Sequence, residues 1–155
     1  MASQSTKTTV IRNGTLIDGS GSTASDNEAV VIQGNRITSV GSIPAGLTLE
    51  DKESVRVIDA SGRWIMPGLI DGHCHLSFGQ PAMPGVSVAR GTTSAEFTTL
   101  RAARNAQTIL RSGVTSVSIP GGSWFIDVAL REAINAGMLE GPRIYCAGRF
   151  IITYG

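Results

Sequence analysis

Two histidines, His73 and His75, stand one residue apart in a chain of 155 residues that contains no others. Asp71 precedes them at the same interval, so a carboxylate and two imidazoles occupy alternate positions. A neutral imidazole is a metal ligand, and two of them about 7 Å apart along one side of an extended segment can lean onto a single cation. On a strand, Asp71, His73 and His75 share one face, while Ile70, Cys74 and Leu76 share the other. The spacing alone also fits a polar surface strand. Position separates the two readings: the polar side chains begin where the apolar run Leu69-Ile70 ends, and parallel barrels carry their catalytic groups at the carboxyl ends of such strands. For Asp71 two roles stay open, orienting a metal ligand or a lysine ammonium from outside the coordination shell, or accepting nearby backbone amides.

The elements that must hold this pair fall into two rhythms. Residues 1–8 are polar and read as a frayed terminus. Residues 10–12 and 15–17 read as a hairpin closed by Asn13-Gly14, and 29–33 and 36–40 as a second around Gly34-Asn35, because both pairs supply the positive φ a tight turn needs. Residues 18–27 read as loop, 44–54 as a polar connection, and 55–59 as a further strand. Beyond the histidines the pattern becomes strand and helix in alternation. Residues 80–91 read as a loop above the first strand, and Thr93-Ser94-Ala95-Glu96 as a capping box with its hydroxyl at Thr93. The helix that follows runs to about Ser112, with an apolar face of Phe97, Leu100, Ala103, Ala106, Ile109 and Leu110, and Gly113 ends it. Residues 114–119 form a strand, 126–136 a helix with Ile126, Leu130, Ala133 and Ile134 inward, and 143–152 a third strand. Strands separated by helices at this interval pair in parallel through right-handed crossovers.

Pro67-Gly68-Leu69-Ile70-Asp71-Gly72-His73-Cys74-His75 resembles the Pro-Gly-Leu-Ile-Asp-x-His-x-His signature that opens the barrel of the amidohydrolase superfamily, nearest its imidazolonepropionase and prolidase-like branch. The resemblance extends to Val10-Ile11-Arg12-Asn13-Gly14-Thr15-Leu16-Ile17-Asp18-Gly19, to Gly34-Asn35-Arg36-Ile37 and to Gly113-Val114-Thr115-Ser116-Val117, in the family's order. It implies an α/β fold: the N-terminal part of a TIM-like (β/α)8 metal-dependent hydrolase barrel, residues 64–155, preceded by residues 1–63 as part of a small β-sandwich layer. It implies a hydrolase that cleaves a carbon–nitrogen bond of an amide, carbamate, urea or dipeptide-like small molecule with one or two divalent metals, zinc foremost. His73 and His75 would be metal ligands, Asp71 a supporting group, and the enzyme a homo-oligomer. A deaminase of the same fold and a non-catalytic homologue are the alternatives. In the family a later lysine, two later histidines and a late aspartate complete the site, and the only lysines here are Lys7 and Lys52. A full barrel takes about 250 residues, so the expectation is a partial barrel that needs its C-terminal part, binds metal weakly alone and catalyses nothing. Relatives in this branch often carry an Arg-Asp pair where Ser118 and Ile119 stand, so a detailed substrate assignment is not carried over from them. Ser77, Ser118 and Arg149 lie near strand ends, where substrate contact and ordinary loop hydrogen bonding are both open.

Composition agrees with a globular enzyme: 41% of residues are hydrophobic and 16% charged. A formal charge of +1 without clustering of either sign, and 5% aromatic residues, give no platform for nucleic acid or an anionic membrane. No apolar run is long enough to span a bilayer and the first residues lack the core of a secretory signal, so the expected location is cytoplasmic. Cys74 and Cys146 read as two small buried hydrophobes rather than a disulfide, and Cys74 is kept out of the metal set because it faces away from the histidines.

Overall fold

The structure is a computed structural model that describes residues 7–79, 94–151 and 153. The frayed terminus at 1–6, the loop at 80–91, the cap at Thr93 and part of the expected third strand, at Ile152, lie outside the described residues. The chain divides into two compact units, Met1–Pro67 and Gly68–Gly155.

The first unit is a five-stranded mixed sheet of β1 (Thr8–Leu16), β2 (Ser25–Gln33), β3 (Arg36–Gly41), β4 (Val55–Asp59) and β5 (Trp64–Ile65). Its order is β3-β2-β1-β4, with β5 also paired to β1. The β2–β3 hairpin turns at Gly34-Asn35 as expected, with Gln33 opposite Arg36 and Gly34 at φ 59°. The first expected hairpin is absent. Instead β1 runs straight through Asn13-Gly14, and its register with β2 shifts between Ile11 and Gly14. Asn13, at φ 64°, therefore makes a bulge rather than a turn, because the left-handed conformation that closes a hairpin also inserts an extra residue into a strand. The bulge lets one strand serve two parallel neighbours: Thr8 to Arg12 pair with β4, Thr15 and Leu16 with β5. Asn13 Nδ2 donates to Asp59 Oδ1 at 3.2 Å, tying the bulge to the end of β4. Gly14 is required there, since a Cβ would lie 2.7 Å from the Ile65 side chain. The expected loop at 18–27 gives up its last three residues to β2. Val10, Val31 and Val55 form the core, packed by Ile43, Leu47 and Leu49, so the connection after β3 covers the sheet as well as linking it.

The second unit alternates β6 (Leu69–Asp71), α1 (Ala95–Arg111), β7 (Val114–Ile119), α2 (Ile126–Asn135) and β8 (Arg143–Cys146). The three strands are parallel in the order β6-β7-β8. Val117, Ile119 and Ile144 form one core with Ala102 and Ala106 of α1, Ile126 and Leu130 of α2, and Leu76. Register puts Ile70 beside Ser116 and Arg143, off this core, and Ile70 is 77% exposed. Gly68 is where the signature needs no side chain: a Cβ would collide with Thr115 of β7.

Two details of α1 differ from expectation. Its cap is Ser94, whose Oγ accepts the Phe97 amide at 3.3 Å. Of the expected apolar face, Ala106 is buried and Ala103 and Ile109 pack against the core, while Phe97 and Leu100 are 54% and 72% exposed and Thr98 and Ala102 are buried in their place. Small residues let the helix axis sit close to the sheet, and a face of Phe and Leu would hold it off. Gly113 (φ 96°) and Gly137 (φ 71°) end the two helices as expected. β8 stops at Cys146, short of the expected 152, followed by a single bridge between Gly122 and Arg149. No helix among the described residues is long and apolar enough to cross a membrane.

Candidate metal centre

β6 ends at Asp71 for a local reason. Its Oδ1 accepts the His73 amide at 3.0 Å, and this side-chain turn bends the chain at Gly72-His73. The Cys74 amide then donates to the Ser118 carbonyl at 2.8 Å, which rejoins the segment to β7. Leu76 is buried in the core beneath the helices and Cys74 packs against it. The single alternation expected from residue 70 to residue 76 is thus broken: Ile70 lies on the Ser116 side, apart from Cys74 and Leu76. Of the two roles open to Asp71, the structure displays the accepting of a backbone amide.

The bend nonetheless brings the two imidazoles together. Their centroids are 5.2 Å apart with the rings edge to face at 71°. His75 is held on three sides: Nδ1 lies 3.0 Å from the Gly121 carbonyl, the ring stacks on Phe78 at 4.5 Å and 12°, and Phe150 lies 5.8 Å away. A carbonyl oxygen can only accept, so Nδ1 is the donor in this contact and Nε2 is the ring nitrogen without a hydrogen-bond partner among the described residues. That division of labour, one ring nitrogen donating to a carbonyl and the other free, is how metal-binding histidines are oriented. Two neutral imidazoles fit a zinc-type ion as half of a tetrahedral shell. Among the described residues there is no group of three His, Cys, Asp or Glu able to hold an ion. Burial, and then the charge of Asp71, push the Cys74 thiol up, which keeps it protonated at neutral pH.

Beside His75, at the carboxyl ends of β7 and β8, an open cleft of about 370 Å³ is lined by Gly122, Ser123, Trp124, Arg149 and Phe150. Trp124 and Phe125 are consecutive left-handed residues, at φ 55° and 56°, and the Arg149 guanidinium lies 5.0 Å over the Phe125 ring. Of the other polar residues at strand ends, Ser118 and Ser77 contribute their carbonyls, to Cys74 and to Arg101 respectively. Asp127 is the residue that sequence reading missed. It is 5% exposed in the first turn of α2, where Oδ2 accepts the Gly148 amide at 3.0 Å and Oδ1 the Val128 amide at 2.9 Å. Its signal was a carboxylate at a helix start, which the backbone amides and the dipole favour.

No protein-family model matches the chain. An adenine deaminase of Rubrobacter xylanophilus is 42% identical over 73 residues, 47% of this chain and 12% of that protein. An imidazolonepropionase of Caulobacter vibrioides is 35% identical over 119 residues, 63% of this chain and 29% of that protein. Among solved structures, a Xaa-Pro dipeptidase with methionine bound in its active site superposes with a TM-score of 0.78 at 30% identity, over 94% of this chain and 34% of that one. A molinate hydrolase does so with a TM-score of 0.77 at 34% identity, over 95% and 31%. The chain therefore spans about a third, or less, of the length of the proteins it matches.

Proposed function

We propose, for a chain that matches part of amidohydrolase-superfamily enzymes in both sequence and fold, that His73 and His75 are two ligands of a divalent metal, zinc foremost, in an enzyme that hydrolyses a carbon–nitrogen bond of a small molecule. On this reading residues 64–155 are the first strands and helices of a (β/α)8 barrel, residues 1–63 are one layer of a β-sandwich, and the remaining ligands and the proton shuttle lie outside the described residues. The enzyme works as a homo-oligomer. The observation that carries the reading is the imidazole pair at the carboxyl end of β6, with His75 Nδ1 committed to the Gly121 carbonyl, which leaves Nε2 as the nitrogen for a metal. When bound, the metal supplies an acidified water and polarises a carbonyl. The chain's own part is to present two neutral nitrogens in fixed directions: Asp71 holds the bend that places His73, and Gly121 with Phe78 holds the ring of His75. The cleft beside His75 offers Arg149 and two aromatic side chains to the substrate.

The test is metal analysis of the full-length protein. His73→Ala and His75→Ala are each expected to lose bound zinc together with hydrolysis of N-acyl amino acid or phenylurea substrates. Undiminished zinc content and turnover in both variants would exclude the assignment. The adenine deaminase relative favours a second reading, deamination on the same scaffold. Ammonia release from an aminopurine, without cleavage of the amide substrates, would select it.

A further inference from the structure

The turn that follows His75 is held by α1. The Phe78 amide donates to the His75 carbonyl at 3.3 Å, closing the turn. The next three carbonyls all go to two side chains one helical turn apart. Asn105 Nδ2 donates to Leu76 at 2.8 Å and to Phe78 at 3.2 Å, and Arg101 Nε and Nη2 donate to Ser77 at 3.1 and 2.8 Å. Both Asn105 partners are acceptors, so the amide orientation is determined by chemistry. Four successive carbonyls in an irregular segment are thereby satisfied without sheet or helix. The geometry is costly for stability alone, because Arg101 Nη1 is buried without a hydrogen-bond partner among the described residues.

What the turn delivers is the Phe78 ring on which His75 stacks. We infer that Arg101 and Asn105 are positioning residues, a clamp on α1 that fixes the turn from His75 to Phe78 and so aims the His75 imidazole at the metal. The inference rests on the reading of His73 and His75 as ligands. The clamp touches neither metal nor substrate. It acts through three main-chain carbonyls, and its loss leaves the ligand present and still facing the Gly121 carbonyl but without a fixed Phe78 ring to stack on.

The experiment follows zinc release from the full-length protein to a chromogenic chelator, with melting of the metal-free protein measured in parallel. Asn105→Asp replaces the donor by an acceptor of the same shape, and Arg101→Lys keeps the charge but removes the fork. Loss of partners that orient a metal ligand costs about 10- to 100-fold in affinity, and release is expected to accelerate by that factor in Asn105→Asp and by less in Arg101→Lys. Arg104→Ala, on the exposed side of the same helix, keeps the wild-type rate. Wild-type release from a folded Asn105→Asp protein overturns the inference, as does acceleration matched by an equal loss of metal-free stability. Should Asn105→Asp not fold, the same criteria apply to Arg101→Lys. His75→Ala separates the two levels: zinc retained there removes the ligand assignment itself, whereas zinc lost there but held normally by the clamp variants removes only the clamp.

Discussion

Asp59 shows how much a single exposed carboxylate can organise. Its Oδ1 accepts the Ser61 hydroxyl at 2.6 Å, the Ser61 amide at 3.0 Å and Asn13 Nδ2 at 3.2 Å, joining the end of β4 to the bulge in β1. These bonds, the Ser61 hydroxyl first, favour the ionised form and hold its pKa below the ordinary carboxylate value. In this range the unfolded chain binds the proton more readily than the folded one. The contribution to stability is therefore complete above about pH 4 and is lost as pH falls through the lowered folded value. The expected outcome is a urea midpoint that falls between about pH 4 and pH 2 and falls less in Asp59→Asn, as followed by circular dichroism. An equal acid response in both proteins would show that the bulge contact carries no linkage. His75 is the other residue whose surroundings define it, and the Gly121 carbonyl on Nδ1 selects its tautomer.

At the scale of elements, the signature owes its two halves to different causes. On the proposed reading, His73 and His75 are there for what their nitrogens can bind. Gly68 is there for close packing, because β6 approaches β7 so nearly that Thr115 occupies the space of a Cβ. Gly68→Ala is expected to destabilise the full-length protein by about 1–3 kcal/mol, the range for overpacking, and to lower its melting temperature by several degrees. A melting temperature unchanged in that variant would mean that β6 can shift outward at no cost.

At the scale of the molecule, the second unit packs α1 and α2 on one face of its sheet, and side chains on the other face are exposed among the described residues. Ile70 and Tyr145, on strands at opposite edges, are 77% and 63% exposed, and Ser116 and Ser118 lie between them on β7. Large apolar side chains beside unpaired strand edges promote association. The 155-residue chain, expressed by itself, is expected to bind a hydrophobic dye and to elute from size exclusion as soluble aggregate. A monodisperse protein that melts cooperatively and binds no dye would show that this face needs no cover.

The strands and helices of the second unit were legible in the chain because apolar periodicity and Gly punctuation are local signals, and Val114 to Ile119 and the start of α2 at Ile126 stand where those signals put them. The resemblance around Pro67 to His75 pointed to the kind of chemistry, since imidazole spacing is itself a chemical statement. Three things needed the folded chain. Asn13-Gly14 is a bulge because β1 has strands to pair with on both sides, which no local preference reveals. The inward face of α1 centres on Thr98, Ala102 and Ala106, turned away from Phe97 and Leu100, because the strands beneath the helix, and not its own periodicity alone, choose which side is covered. The two histidine rings meet across a bend rather than along a strand, since Asp71 takes the His73 amide and α1 holds the carbonyls beyond His75. Local sequence dictates which groups are available and which segments are regular, whereas directions in space depend on partners far along the chain, and these exist only once it has folded.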